Sequence, residues 1–201
     1  MSRLEVGSKK SLKTFQYFTD SYKEIISERD LSFYKTKDKG SDEDNFTYVI
    51  NRYTGNDYWI LNDFIRDGTV TNFKESELKS WAYCLHSSLQ YRTSNVSNET
   101  IVYRGVNLNA PSDWKVGKRF YFGEFVSTSK SLDVAKNFSE DGIIMVITIK
   151  NNGNDGNNNY CRYIGDISEL PEEEEVLITA FCIFKITKID GKFYYLDCLG
   201  Y

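Results

Sequence analysis

Arg104, Ser127, Glu173 and Glu175 are the side chains whose types and spacing could do chemistry. Each stands in a short segment that also has a plainer explanation. Arg104 follows the apolar run Ile101-Val102-Tyr103, which reads as a buried strand, and precedes Gly105. An arginine there costs desolvation unless it meets a carboxylate or a phosphate. Its planar fork suits a two-point phosphate contact, and the glycine after it lets a ligand approach the backbone. A structural ion pair is the alternative. Phe125-Val126-Ser127-Thr128-Ser129 is a strand running into a hydroxyl-rich turn. There the alternative is a cap, from Ser129 or Ser131, for a helix near Leu132–Phe138. Pro171 and Glu172 to Glu175 form an acidic run that feeds the apolar Val176-Leu177-Ile178. Most such runs are solvated loops. Strand alternation nevertheless puts Glu173 and Glu175 on one face, with Glu172 and Glu174 on the other. Two carboxylates on one face at a strand mouth can divide roles, one stabilising a cation and one acting as base.

The elements that must position these residues change character along the chain. The first half reads as helix. Phe15 to Ser27 is a short amphipathic stretch, and Lys35 to Asp44 is a charged link containing glycine. Tyr48, Trp59, Leu61, Phe64 and Ile65 supply apolar positions on either side of a break at Tyr53-Thr54-Gly55-Asn56. A helix after Asn72 carries Leu78, Trp81, Ala82, Leu85 and Leu89 as one buried stripe. Asn72 and Glu75 have the spacing of a capping box. His86 lies beside that stripe and reads as a packing or surface residue. From Thr100 the period becomes strand-like, with candidate strands at 100–105, 118–122, 125–129, 143–150, 174–179, 181–189 and 192–199. Asp190-Gly191 signals a tight hairpin between the last two. The Asn/Gly-rich stretch 151–159 is a loop. Together these imply an α+β domain, with helices first and then two packed β-sheets. The expected domain division is a helical extension over 1–44 followed by the main folded domain over 45–201.

Composition narrows the chemistry. The chain has 201 residues, 40% of them hydrophobic and 15% aromatic, enough for a real core. A net charge of -4 argues against broad phosphate-backbone contact, so no nucleic-acid partner is expected. One histidine and four scattered cysteines, with no C-x-x-C pair, argue against a metal site, and none is expected. Four cysteines can pair in three ways, and the spacing demands none of them; a reducing compartment is the default. The longest apolar run, Gly142 to Ile149, is far short of the roughly 20 residues that span a bilayer. Met1 to Lys13 lacks the apolar core of a signal peptide, so neither a leader nor a membrane span is expected.

The conjunction of segments carries more than its parts. TIVYRG (100–105), FVSTS (125–129) and EEEVLI (173–178), in that order, resemble the arginine–serine–glutamate class of mono-ADP-ribosyltransferases. That class includes the enzymatic components of clostridial binary toxins, cholera-like toxins and vertebrate ecto-enzymes. YTGNDYWILNDFIR (53–66) also looks like the helical segment preceding the core in the binary-toxin-like branch. The resemblance covers about residues 45 to 199. It implies two packed sheets with an NAD cleft between them, NAD as co-substrate, and a protein partner presenting an arginine.

By the same resemblance, Arg104 and Gly105 contact NAD, with Arg104 on its phosphates and ribose. Ser127 holds the catalytic glutamate and the nicotinamide ribose. Glu175 is the catalytic glutamate, and Glu173 goes with arginine as the modified residue. Phe138 is the aromatic that packs on nicotinamide, or else the buried end of a short helix. Leu170 occupies a turn position where toxin-type members often carry an aromatic, and Tyr160 or Tyr163 could substitute. The implied chemistry is glycoside cleavage, in which positive charge develops on the ribose and a fixed carboxylate stabilises it. Arg104 would align the pyrophosphate. A target guanidinium is protonated and a poor nucleophile, so Glu173 would orient it and take its proton. The poly-ADP-ribosylating and diphtheria-like branch uses a histidine on an early core strand; His86, on a helix before the strands, disfavours that branch. The alternatives are an NAD glycohydrolase on the same site and a non-catalytic binding module. The implied setting is a secreted or injected effector acting in a host cytoplasm, ahead of an endogenous cytoplasmic enzyme.

Overall fold

The computed structural model describes residues 42–68, 72–90, 96–150 and 160–200. The stretch Phe15–Ser27 and nearly all of the 1–44 extension lie outside them. Helix α1 (Asp42–Arg52) begins within the expected charged link and straddles the 44/45 boundary. A π-type turn, Tyr53–Asp57, then breaks the helix where Gly55 leaves helical geometry at ψ -147°. Helix α2 (Tyr58–Asp67) stops at Gly68, whose φ of 71° is the left-handed C-cap that glycine adopts without strain.

Helix α3 (Glu75–Gln90) buries Leu78, Trp81, Ala82, Leu85 and Leu89, the stripe expected from their spacing. Its start corrects the capping-box reading. The helix opens at Glu75, and the Lys74 carbonyl accepts from the Glu77 and Leu78 amides. Asn72 is a left-handed turn residue (φ 75°) further upstream. Asparagine tolerates that conformation, so its signal marks the turn, not the cap.

Eight strands follow: β1 (Ile101–Val106), β2 (Arg119–Tyr121), β3 (Val126–Ser129), β4 (Ile143–Ile149), β5 (Cys161–Tyr163), β6 (Glu175–Ile178), β7 (Ile183–Asp190) and β8 (Phe193–Cys198). Helix α4 (Leu132–Ser139) sits between β3 and β4 and is capped by Ser131 rather than Ser129. β5, after the Asn/Gly-rich stretch, is the strand that alternation misses. Three residues centred on Arg162 are too few to show a period. The hairpin between β7 and β8 turns through Gly191-Lys192, one position later than Asp190-Gly191 suggests.

The strand order is β2-β7-β8-β4-β1-β3-β6-β5, antiparallel throughout except for β4 beside β8. Hydrogen bonding therefore makes one mixed sheet where two were expected. The joint is narrow, however. β1 pairs with β4 from Ile101 to Val106, but with β3 only at Tyr103–Ser129. Two ladders, of five and three strands, meet at that position.

They also share a core. Val126, Val176 and Ile178 of the short ladder pack with Val102, Met145, Ile147, Phe184 and Leu196 of the long one. On the other face of the short ladder, Phe125, Leu177 and Phe181 pack with Ile50, Leu61, Trp81 and Leu85 of the helices. β3 and β6 are thus covered on both faces, which is why β6 is buried at every position.

The four cysteines form no disulfide and are buried. Among the described residues, no three His, Cys, Asp or Glu side chains gather as a metal cluster. No helix among them is long and apolar enough to cross a membrane.

Gly105 is explained by packing. A Cβ there would lie 1.7 Å from the Ala135 carbonyl oxygen and 2.8 Å from the Ser139 nitrogen. The backbone of α4 therefore occupies the space that the sequence reading reserved for a ligand. Since backbone cannot yield as a flexible side chain does, Gly105→Ala should lower stability by roughly 2 kcal/mol or more. Thermal unfolding of the variant measures it, and an unchanged midpoint would contradict the packing.

Candidate active site

β3 and β6 set the centre of the site. They pair antiparallel with Ser129 opposite Glu175 and Ser127 opposite Leu177. Side chains alternate, so Ser127 and Glu175 share a face as diagonal neighbours. The Ser127 hydroxyl lies close enough to the Glu175 carboxyl to favour its ionised form. The other two hydroxyls of the motif are structural. Thr128 Oγ1 donates to the Val176 carbonyl at 2.6 Å, and Ser129 Oγ accepts from the Ser131 amide at 2.8 Å.

Glu175 is 5% exposed. Burial pushes its carboxyl up to about 7, the Glu173 charge adds to the rise, and the Ser127 hydroxyl and Arg104 oppose it. A carboxyl poised there changes charge near neutral pH, the property expected of a catalytic group.

Glu173 reaches the site differently from the strand argument. β6 begins at Glu175, not Glu174, and Pro171–Glu173 form a single 3-10 turn closed by Glu174 in the left-handed region (φ 47°). The turn, and not strand alternation, brings the Glu173 charge within range of Glu175. Burial and the neighbouring Glu172 raise its own carboxyl above the ordinary value. The approach to this turn is tied to the helices. Thr54 Oγ1 accepts from the Glu169 amide at 3.1 Å, and the Glu169 carboxylate lies over the bare Gly55 Cα.

Arg104 lies at the same centre. Its Nη1 donates to the Ser127 carbonyl at 2.8 Å, and its Nη2 donates to Glu124 Oε1 at 3.2 Å. Glu124 is 3% exposed, and its other oxygen accepts from Arg66 Nη1 at 2.7 Å. Arg66 Nη2 in turn bonds Asp63 on the same helix. The two readings of Arg104 are therefore compatible. It has the carboxylate that its burial demands, yet only two of its five N–H donors are engaged in these contacts, and its side chain is 15% exposed.

Behind Ser127 stands a second buried set. The Asn62 side chain accepts from the Phe125 amide at 3.1 Å and donates to the Phe125 carbonyl at 3.4 Å and to the Tyr53 hydroxyl at 3.0 Å. Tyr53 donates to that same carbonyl at 3.2 Å. Burial and the Glu175 charge push the Tyr53 phenol far above its ordinary value, so it stays neutral.

Arg104, Ser127, Glu173 and Glu175 thus converge. Phe138 does not join their hydrogen-bonded set. It projects from α4 at 56% exposure, which overturns the buried-end reading. Tyr160 cannot serve as a surface aromatic. It is buried, with its hydroxyl donating to the Cys198 carbonyl at 3.0 Å. His86 is buried, and desolvation lowers it to about 4, so it is neutral at ordinary pH. Glu124, Arg66, Tyr53 and Asn62 were not singled out from sequence. The need of a half-buried Arg104 for a carboxylate was the available signal for Glu124, an acid inside the apolar run Tyr121–Val126.

Comparison with known proteins bears on the family and the fold. A chicken NAD(P)(+)–arginine ADP-ribosyltransferase 2 is 38% identical over 86 residues, which is 43% of this chain and 24% of the chicken protein. The matched stretch thus spans about a quarter of that relative. The eucaryotic mono-ADP-ribosyltransferase ART2.2 superposes at a TM-score of 0.60 with 22% identity, over 94% of this chain and 78% of its own. A variant of it has been solved in complex with NADH. The Vis toxin of Vibrio splendidus superposes at 0.59 with 18% identity, over 98% of this chain and 87% of its own, and has been solved in complex with agmatine. The family model for NAD:arginine ADP-ribosyltransferases matches residues 21–194, beginning upstream of α1 and ending at the start of β8. With that match over most of its length, the chain belongs to the NAD:arginine ADP-ribosyltransferase family.

Proposed function

We propose that this protein cleaves NAD at the nicotinamide–ribose bond and transfers ADP-ribose to an arginine of a protein target. The observation that carries the reading is the buried Glu175, on one face of the β3–β6 ladder with Ser127, with the Glu173 charge acting on it and Arg104 on the Ser127 carbonyl. The family match and the arginine-specific chicken relative support it. NAD fits the residues present. Arg104 keeps donors beyond those it uses, and its planar fork matches a phosphate. When bound, NAD supplies the glycosidic bond to be broken.

The chain's own residues supply the rest. Arg104 binds and orients the phosphates. Ser127 fixes the Glu175 carboxyl, and Glu175, once ionised, faces the ribose in a site dry enough to strengthen its field. Phe138, exposed on α4, is available to pack on nicotinamide. Glu173, less buried and at a turn, receives the incoming guanidinium and takes its proton. The agmatine complex of Vis supports a guanidinium-bearing acceptor in this fold. A secreted or injected effector acting in a host cytoplasm is the setting the toxin-like fold relatives support.

Incubation with labelled NAD and a protein lysate tests the reading. Glu175→Ala should abolish both transfer and hydrolysis. Glu173→Ala should reduce arginine transfer about 100-fold or more while some hydrolysis survives. Equal loss of both activities in the second variant would contradict the division of roles, and hydrolysis without any transfer by the unaltered protein would make it a glycohydrolase.

Activity should rise with pH through about 7 and then level off, because Glu175 acts ionised. Ser127→Ala removes a hydroxyl that lowers this carboxyl, so the midpoint should move to higher pH. Glu173→Gln removes a charge that raises it, so the midpoint should move lower. A rising limb indifferent to both changes would point to another group.

Stability provides a further check. With its folded value raised, Glu175 favours the fold fully below its ordinary value of 4.5 and loses that contribution as pH climbs through about 7. Glu175→Gln should therefore be more stable than the parent at pH 8 by roughly 1–3 kcal/mol. Thermal unfolding at pH 5 and pH 8 reads this out, and a destabilised variant at pH 8 would count against it.

A further inference from the structure

We propose that Glu124 is the residue that positions Arg104 for NAD. The proposal rests on Arg104 as the phosphate-binding group. Asp63, Arg66, Glu124, Arg104 and the Ser127 carbonyl form a continuous ionic and hydrogen-bonded chain from α2 to β3. Glu124 is its hub. One oxygen takes Arg66 at 2.7 Å and the other takes Arg104 at 3.2 Å, with 4% of its side chain exposed. Arg66 is 7% exposed, so both ends of that shorter pair are out of water.

If that buried carboxylate is lost, Arg66 keeps Asp63, but Arg104 keeps no salt-bridged carboxylate among the described residues. The geometry also fixes a plane. Nη1 on the Ser127 carbonyl and Nη2 on Glu124 hold the Arg104 guanidinium at two points, and the Phe122 ring lies 5.8 Å from its central carbon. A planar fork recognises a phosphate only when its plane is set. Glu124 touches neither reacting atom and acts through Arg104, so its effect should fall on NAD affinity and not on bond cleavage.

Glu124→Gln keeps the shape but offers one acceptor oxygen where two arginines need one each. The amide nitrogen must then face a guanidinium donor. The variant should raise KM for NAD about tenfold, the scale of one lost charge-assisted hydrogen bond, while kcat stays within about threefold. Adding Arg66→Met to Glu124→Gln should lower that KM again by several-fold, because the single amide oxygen can then serve Arg104 alone. A purely structural Glu124 predicts the reverse, with the double variant no better than the single. Glu124→Asp keeps the buried charge but cannot span both arginines. It should show the same KM rise, and it carries the test if the glutamine variant does not fold.

Steady-state NAD hydrolysis and thermal unfolding should be measured on all three, alongside Arg104→Met. An Arg104→Met variant with an unchanged KM would overturn the reading of Arg104 itself. A raised KM there, with unchanged KM in folded Glu124→Gln or Glu124→Asp, would overturn the role of Glu124 alone. A KM rise in Glu124→Gln without rescue by Arg66→Met would also overturn it.

Discussion

The grip of Asn62 on Phe125 is the interaction on which the site depends. One side-chain amide satisfies both the N–H and the C=O of a residue just ahead of β3. It does for this stretch of backbone what a neighbouring strand would do. The need arises because β3 is tied to the long ladder at a single position, Tyr103–Ser129. A four-residue strand held by one neighbour and one joint would be free to slip, and a slip of one position would turn Ser127 away from Glu175. The helices therefore do more than bury apolar surface. Through Asn62 and Tyr53 they set the register of the strand that carries the serine.

The second constraint is the dielectric. Glu175 is placed where ionisation is costly, flanked by another acid, and only partly relieved by Ser127 and Arg104. A fold optimised for stability alone would place a neutral side chain there. Tolerating a strained carboxyl needs firm surroundings, and these are present on both faces: the helical core behind Leu177 and the shared inter-ladder core behind Val176 and Ile178. The arginine pair, one buried and one half-buried, is managed similarly, with Glu124 as common counter-ion.

Much of this was legible in the sequence, and the losses have physical causes. The stripe on α3, the break at Gly55, seven of the strands and the four converging residues follow from period, turn chemistry and motif order. Periodicity reads one element at a time, however, and is blind to how elements meet. It could not show that two ladders join at Tyr103–Ser129, that α4 presses on Gly105, or that a turn and not a strand delivers Glu173. Asn62 and Arg66 look like ordinary polar positions on a helix. Their importance comes wholly from what lies across the packing interface, near Phe125 and Glu124. Asn72 misled because its side chain suits a cap and a left-handed turn alike.

The cysteines bear on the environments this fold can withstand. None of the four is in a disulfide, and all are sheltered from water. Burial pushes the thiols of Cys161 and Cys182 upward, away from the reactive thiolate. No cross-link needs to form for the chain to mature, and none can be cut by glutathione or thioredoxin. Oxidants outside a cell likewise find no exposed sulfur among these four. The described fold thus holds together without any cross-link, so reduction of disulfides is no route to unfolding it.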